Sequence, residues 1–520
     1  MELTVPQRIE ADTGSFPVNP DGVASWLKNL HPLSSEADAK EVYRGLKHSN
    51  RLHNNVDQRR AVINCFIPIL RELHTQMGEL SHAQPLPLSR EFYRSARLGD
   101  ALLREEAFAF KILLSDSPTP LADDARRAMQ ALARQTESLA HAYRPIPDTL
   151  IQDAHQLYAL AEEHRLLSAR QGSELLSLLD HYRFILLVSV ADLAQQRVRQ
   201  LALILDFLKS CVPDIHIEKH RQPDTFSATD YAINLKQGSR PEPALSLLSE
   251  DHAQVRWFSI APALYRIDTY SSRIKATSTN ILGSDTLERQ SLARLHVALA
   301  RARQRRSARK VAHTPGRVVF GHKEVCAHLL YKPTEKPSNE SSGWSVTNLS
   351  AQGMCLQNDL CRPGLTQVGE LISVTEPNTA LLSEVKSESN KINALLGVVR
   401  WVRAMDDQGI RIGIEFLART ILPVHVLREE LTDTSDSIEP LAWNEKDIGL
   451  TENALIVACK VQRTVLQTML LPTHLYHTGD KLTVTQGERT RRVQLRKCLQ
   501  TNGLFSQFSL VDAAKQRNFE

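Results

Sequence analysis

The spacing of apolar residues changes near residue 300, and that change limits the folds open to this chain. Before it, apolar side chains recur every three or four residues, as on one face of an α-helix. Asn55 to Leu80 sets Val62, Cys65, Phe66, Ile69, Leu70 and Leu73 on one such face. Ser89–Leu114, Ala122–Ala142, Asp148–Leu167 and Ser173–Leu208 follow the same rule. Proline-rich breaks such as Ser117-Pro118-Thr119-Pro120 and Pro145-Ile146-Pro147 separate them, because proline lacks the amide hydrogen and clashes with the preceding turn. Arg256–Ile274 also has helical spacing through Trp257, Ile260, Leu264 and Ile267. A further helix is predicted from Ser284 or Asp285, with Glu288 placed to reach back to the cap, through Leu292, Leu295, Val297 and Leu299 to a run of arginines.

Beyond Lys310 the pattern becomes strand-like. Ile410, Ile412, Ile414 and Phe416 alternate with Arg411, Gly413 and Glu415, the period of a half-buried strand. Arg317–Phe320, Val325–Leu330, Trp344–Val346, Gly353–Gln357, Leu371–Val374 and Leu396–Val402 are further predicted strands, which suggests a small antiparallel barrel. Lys332–Gly343 reads as a loop. The acidic, Ser/Thr-rich Glu429–Glu439 marks a linker. Strands are then predicted at Leu455–Cys459, Val465–Leu470, Lys481–Thr485, Arg492–Leu499 and Phe505–Val511, with tight turns at Gln486-Gly487 and Asn502-Gly503. The expected architecture is multidomain α+β. It comprises a helical bundle (1–212), a mixed connecting region (213–284), a helix plus antiparallel β-barrel (285–422), a linker (423–449) and a small C-terminal β domain (450–520).

Composition narrows the function classes. The net charge of +4 over 520 residues is far below the excess expected of a protein that coats nucleic acid. The seven cysteines are scattered and form no C-x-x-C pair, so neither a zinc site nor a disulfide framework is expected, and free thiols in a reducing compartment are. No metal-ligand pairing is visible among the 19 histidines. Met1–Asp21 lacks the basic start and apolar run of a signal peptide. The most apolar stretch, Phe184–Val190, is far shorter than a membrane span and is flanked by Arg183 and Asp192. A cytoplasmic protein with no membrane span is the expectation. No G-x-S-x-G, phosphate-cradling loop or H-E-x-x-H motif is present. Trp344 and Trp401 are expected to be core aromatics.

Two features carry chemistry. One is the arginine run before the barrel, in which Arg305 and Arg309 stand four apart; Arg301 with Arg305 and Arg306 with Lys310 are rival pairs. Guanidinium groups chelate phosphate oxygens, donate to guanine O6 and N7, and stack on base planes. The other is Asn348-Leu349-Ser350-Ala351-Gln352-Gly353. This bend offers a carboxamide and a hydroxyl, and Gly353 allows either a close approach or a positive φ. Together the two features resemble the R-x-x-x-R and D/N-x-S-x-x-G signature of PilZ domains. Gly397–Arg403 and Gly409–Leu417 resemble the closing strands of that barrel, so the likeness covers roughly residues 301–420. Leu470–Phe508 also resembles the tail of larger PilZ-containing bacterial proteins with helical N-terminal regions.

The resemblance implies a receptor for the bacterial messenger cyclic di-GMP. Arg305 and Arg309 would hold phosphates and guanine faces, and Asn348, Ser350 and Gly353 would surround one guanine. Asn348 stands where Asp is commoner in the family. Cyclic di-GMP would act as a regulatory ligand, with no cofactor, no metal and no catalysis. Its binding would order the arginine segment and be passed through the helical region to a protein partner. The alternatives are a ligand-free PilZ-like scaffold and a nucleic-acid binder using the basic helix.

Overall fold

The computed structural model describes residues 3–9, 16–30, 36–81, 84–168, 176–221, 225–246, 254–277, 284–300, 308–330, 340–359, 364–375, 394–405, 409–418, 420–429, 452–461, 464–473 and 475–512. The chain divides into two compact units, Met1–Gln304 and Arg305–Glu520.

The first unit is mainly helical. It contains α1 (Pro20–Leu30), α2 (Glu36–Arg51), α3 (Val56–Ser81), α4 (Arg90–Asp116), α5 (Ala122–His141), α6 (Asp148–Glu163), α7 (Leu178–Val190) and α8 (Val198–Cys211). The antiparallel strands β1 (Ile217–Glu218), β2 (Asp230–Asn234), β3 (Glu242–Pro243) and β4 (Val255–Ser259) form a sheet in the order β1-β4-β2-β3. α9 (Ala261–Thr277) and α10 (Ser284–Ala300) complete the unit. Local chemistry sets the helix ends. The Ser89 hydroxyl accepts from the Phe92 amide at the start of α4, and Ser177 with Asp180 forms a reciprocal capping box on α7. The apolar run Phe184–Val190 is a buried core helix. Arg256 of β4 grips Glu162 of α6 through two nitrogens, one at 2.9 Å. The Tyr182 hydroxyl reaches His155 Nδ1 at 2.8 Å, and His155 Nε2 reaches the Ser239 carbonyl at 3.2 Å. These contacts fasten the small sheet and its loops to the bundle.

The second unit holds two closed barrels. The first is built from β5 (Lys310–Phe320), β6 (Glu340–Leu349), β7 (Gly353–Asn358), β8 (Leu371–Thr375), β9 (Ala394–Ala404) and β10 (Ile410–Ala418), in ring order β10-β7-β6-β5-β8-β9. The helix α11 (His322–Leu330) lies between β5 and β6 in sequence. The second barrel has β11 (Ile421–Arg428), β12 (Glu452–Val461), β13 (Thr464–Pro472), β14 (Lys481–Gln486), β15 (Arg489–Thr501) and β16 (Phe505–Asp512), in ring order β11-β12-β13-β16-β15-β14. Val325, Cys326 and Leu329 of α11 join Val319, Leu371, Leu396 and Val398 of the first barrel to Leu455, Val457, Leu470 and Phe505 of the second in one apolar cluster. His322 Nε2 lies 3.1 Å from the Leu470 carbonyl, and Asn502 donates to the Gly369 carbonyl at 2.7 Å.

Six readings from the sequence are corrected. Val325–Leu330 is helical, because Val325, Cys326 and Leu329 fall on one face that packs on both barrels. Residues 255–259 are strand β4, so helical spacing there was coincidental; α9 begins at Ala261. Ser173–Leu208 is not one helix, since Asp192 takes a left-handed conformation (φ 43°) and separates α7 from α8. The helix at 284–300 belongs to the first unit and packs on α8 and α9, with Leu292, Leu295 and Leu299 buried. Residues 423–428, expected in a linker, belong to β11, where Val424 and Val426 point into the second core. Of the expected loop 332–343, residues 340–343 lie in β6 and 332–339 lie outside the described residues.

Candidate functional site

The bend between β6 and β7 is closed by its own serine. The Ser350 amide donates to the Gly353 carbonyl at 2.8 Å. The Ser350 hydroxyl donates to the same carbonyl at 3.0 Å and accepts from the Gly353 amide at 3.2 Å. The Phe416 amide donates to the Gln352 carbonyl at 2.9 Å, tying the bend to β10. Gly353 is required for proximity, not for a positive φ. A Cβ there would stand 2.1 Å from the Ile414 carbonyl oxygen of β10, which no side chain tolerates. Ala351 and Gln352 are exposed, Ser350 and Asn348 are half-buried, and the Asn348 carboxamide has no hydrogen-bond partner among the described residues.

The start of β5 runs beside this bend. Lys310 pairs with Leu349 and Val311 pairs with Asn348. Arg309, the residue before Lys310, therefore emerges next to Ser350. Arg309 and Lys310 are exposed and carry no ion pair among the described residues. Of the residues singled out from the sequence, Arg309, Asn348, Ser350 and Gly353 are thus brought together. Arg305 lies outside the described residues, as do Arg301 and Arg306, so the choice of arginine pair is not fixed by this geometry.

Three neighbours of the bend escaped the sequence reading. Val311 is 77% exposed although it is a strand valine; it offers an apolar surface against which a planar ring can pack. Arg400 donates to Glu415 at 2.6 Å, and Glu415 is the register partner of Gly353. The strict alternation of Ile410, Ile412 and Ile414 already implied that Glu415 faces outward, but nothing in the sequence joined it to Arg400. Trp344 is buried at 2% exposure. Trp401 is only half-buried: it lies across Gly413 on the outer wall, with the Arg403 guanidinium 5.2 Å from its ring. Among the described residues the rim thus presents Arg309, Lys310 and Arg400 against the carboxylate of Glu415, a balance suited to an anion. Among the described residues no group of three His, Cys, Asp or Glu side chains could hold a metal ion.

A closed six-stranded barrel whose lead strand brings an arginine beside an N-x-S-x-x-G bend defines a PilZ domain, and the chain is a PilZ-domain protein. Residues 331–423 match the family described as the middle PilZ domain of the cyclic-di-GMP receptor FimW. Residues 21–223 match the N-terminal domain of that receptor, and residues 463–512 match the FimW C-terminal beta-barrel domain. The middle match takes in the bend and begins beyond Arg309. Over its whole length the chain is similar to the cyclic-di-GMP receptor FimW of Pseudomonas aeruginosa, with 22% identity over 596 aligned positions that cover 99% of this chain and 94% of the relative. No solved structure matches it. Among the described residues no helix is long and apolar enough to cross a membrane.

Proposed function

We propose that this chain is a cyclic di-GMP receptor and not an enzyme, and that the messenger binds between the arginine segment and the Asn348–Gly353 bend. Arg305 and Arg309 take the phosphates and guanine faces, Asn348 offers its carboxamide to a base edge, and Ser350 and Gly353 hold the bend in shape. The observation that carries this reading is the pairing of Lys310 with Leu349 and Val311 with Asn348. It supports a position for Arg309 within reach of a ligand lodged at the bend. The printed function of the FimW relative supports the same ligand.

The division between the two compact units falls at Gln304/Arg305, inside the arginine run. A ligand that grips both this run and the barrel rim restrains the connection between units, and so can report its presence to a protein partner of the helical region. Its leverage equals its difference in affinity for the restrained and unrestrained states. The proposed location is the cytoplasm, supported by the unpaired thiols of Cys65, Cys211, Cys326, Cys355 and Cys498. Calorimetric titration of the full chain with cyclic di-GMP tests the reading. Saturable binding that is lost when Arg305 and Arg309 are both replaced by alanine is expected. Binding that survives the double replacement removes these arginines from the site.

A further inference from the structure

The first unit contains a cleft of about 280 Å³ where the C-terminal half of α3 parts from α4 and α5. Arg71, His74, Thr75, Met77 and Gly78 line it from α3, Ala96, Gly99 and Leu103 from α4, and Arg134 from α5. Some of its polar groups lack partners. Both ring nitrogens of His74 are buried without a hydrogen-bond partner, and so is Glu106 Oε2 behind them. His74 Nδ1 and Glu106 Oε2 stand 3.6 Å apart, with their side chains 12% and 13% exposed. Neither the Arg71 nor the Arg134 guanidinium forms an ion pair within 4 Å among the described residues, although both pull on the Glu106 carboxylate. Other polar groups on the α5 wall are already used: Ser138 donates to Asp100 at 2.8 Å and Glu137 accepts from Lys209 at 2.7 Å.

Burial pushes the Glu106 carboxyl up to about 7, against the pull of Arg134, Arg127 and Arg71. Burial, then Arg134, holds the His74 imidazole down at about 4, so it is neutral at physiological pH. A neutral imidazole keeps one N–H to donate. Two guanidinium groups without an ion pair and one N–H therefore meet two acids, Glu106, which is partly protonated, and Glu137, which Lys209 already holds. Such a balance rejects cations and receives an oxyanion. The remaining wall is apolar or absent: Met77, Ala96 and Leu103 supply carbon, and at Gly78 a Cβ would meet nothing within 4 Å. The volume is at the small end of ligand pockets and too small for a dinucleotide with two purines.

We propose that this cleft is a second ligand site, which takes a small molecule bearing one oxyanion group, phosphate or carboxylate, on a short apolar body. Arg71 and Arg134 grip the oxyanion, His74 donates to it, and Met77 and Leu103 pack on the body. The site is independent of the barrel rim, so failure of either reading leaves the other standing. Titration of the full chain with phenyl phosphate and with phenylacetate, at fixed ionic strength, tests it and separates the two oxyanion classes. Saturable binding of at least one probe is expected, weakened about tenfold or more by Arg134→Gln and strengthened by Glu106→Gln, with cyclic di-GMP affinity unchanged in both variants. Arg134→Gln removes a guanidinium with no ion-pair partner, so its helical circular dichroism should match wild type. Failure of both probes to bind, or affinity indifferent to Arg71→Gln combined with Arg134→Gln, overturns the proposal.

Discussion

Numbered along the chain, the strands of both barrels close in the same ring order: first, second, third, sixth, fifth, fourth, and back to the first. The likeness reaches into the bulges. In each barrel the pairing of the fifth and sixth strands slips twice, and an arginine is the residue skipped at one slip: Arg400 in the first, Arg496 in the second. Bulges of this kind add the twist that a small barrel needs to close. What differs is the dressing at the ends. The first barrel has a serine-closed bend after its second strand and an arginine run leading into its first. The second barrel has Gln462-Arg463 between β12 and β13, and only Arg419 and Thr420 ahead of β11. One topology therefore carries two different sets of end segments, and the proposed ligand recognition rests on two short segments of the first barrel.

The comparison can be broken most forcefully at the seam. Phe505 of the second barrel is 1% exposed in the cluster shared with the first. Phe505→Ala should cost about 3–5 kcal/mol and loosen both barrels together. Urea unfolding with hydrogen exchange at β9 checks this; unchanged protection in β9 would show that the barrels stand separately. Next comes the glycine that lets β7 approach β10. Gly353→Ala should destabilise the first barrel by about 1–3 kcal/mol and weaken messenger binding, as read by thermal melting and calorimetry. A smaller effect separates rim from wall. Arg309→Ala should lower cyclic di-GMP affinity about tenfold or more, whereas Arg496→Ala, at the matching bulge of the second barrel, should leave it unchanged; neither should shift the melting temperature. Last is a pH effect at the seam. Burial lowers the pKa of His322, with the Leu470 carbonyl and Glu324 acting against it. The unfolded chain then binds the proton more tightly than the folded one, so stability present above the ordinary histidine range is lost as pH falls below it. The melting temperature should fall between pH 7 and pH 5, and His322→Asn should flatten that fall.

Local patterns revealed the elements better than their partners. The alternation of Ile410, Ile412 and Ile414 announced β10, and the helical spacing of Ser89–Leu114 announced α4. α11 was misread because a short apolar run such as Val325–Leu330 fits a strand as well as a helix. β11 was missed because Pro423 looked like a linker residue; the strand tolerates it because pairing with β14 begins only at His425. The ring order depends on pairings between distant strands, which no local window contains. At the site, both motifs could be read, but the adjacency of Arg309 and Ser350 follows from the register of β5 on β6. The exposure of Val311 likewise became visible only once that register was known.

The placement of α11 has a practical corollary for anyone dissecting this molecule. The helix is encoded inside the first barrel yet spends much of its oily face on the second, so no cut between the barrels yields two self-sufficient pieces. A fragment ending at Ala418 would leave Val325, Cys326 and Leu329 bare toward the missing half and is expected to aggregate; the shortest soluble receptor fragment should retain both barrels through Asp512.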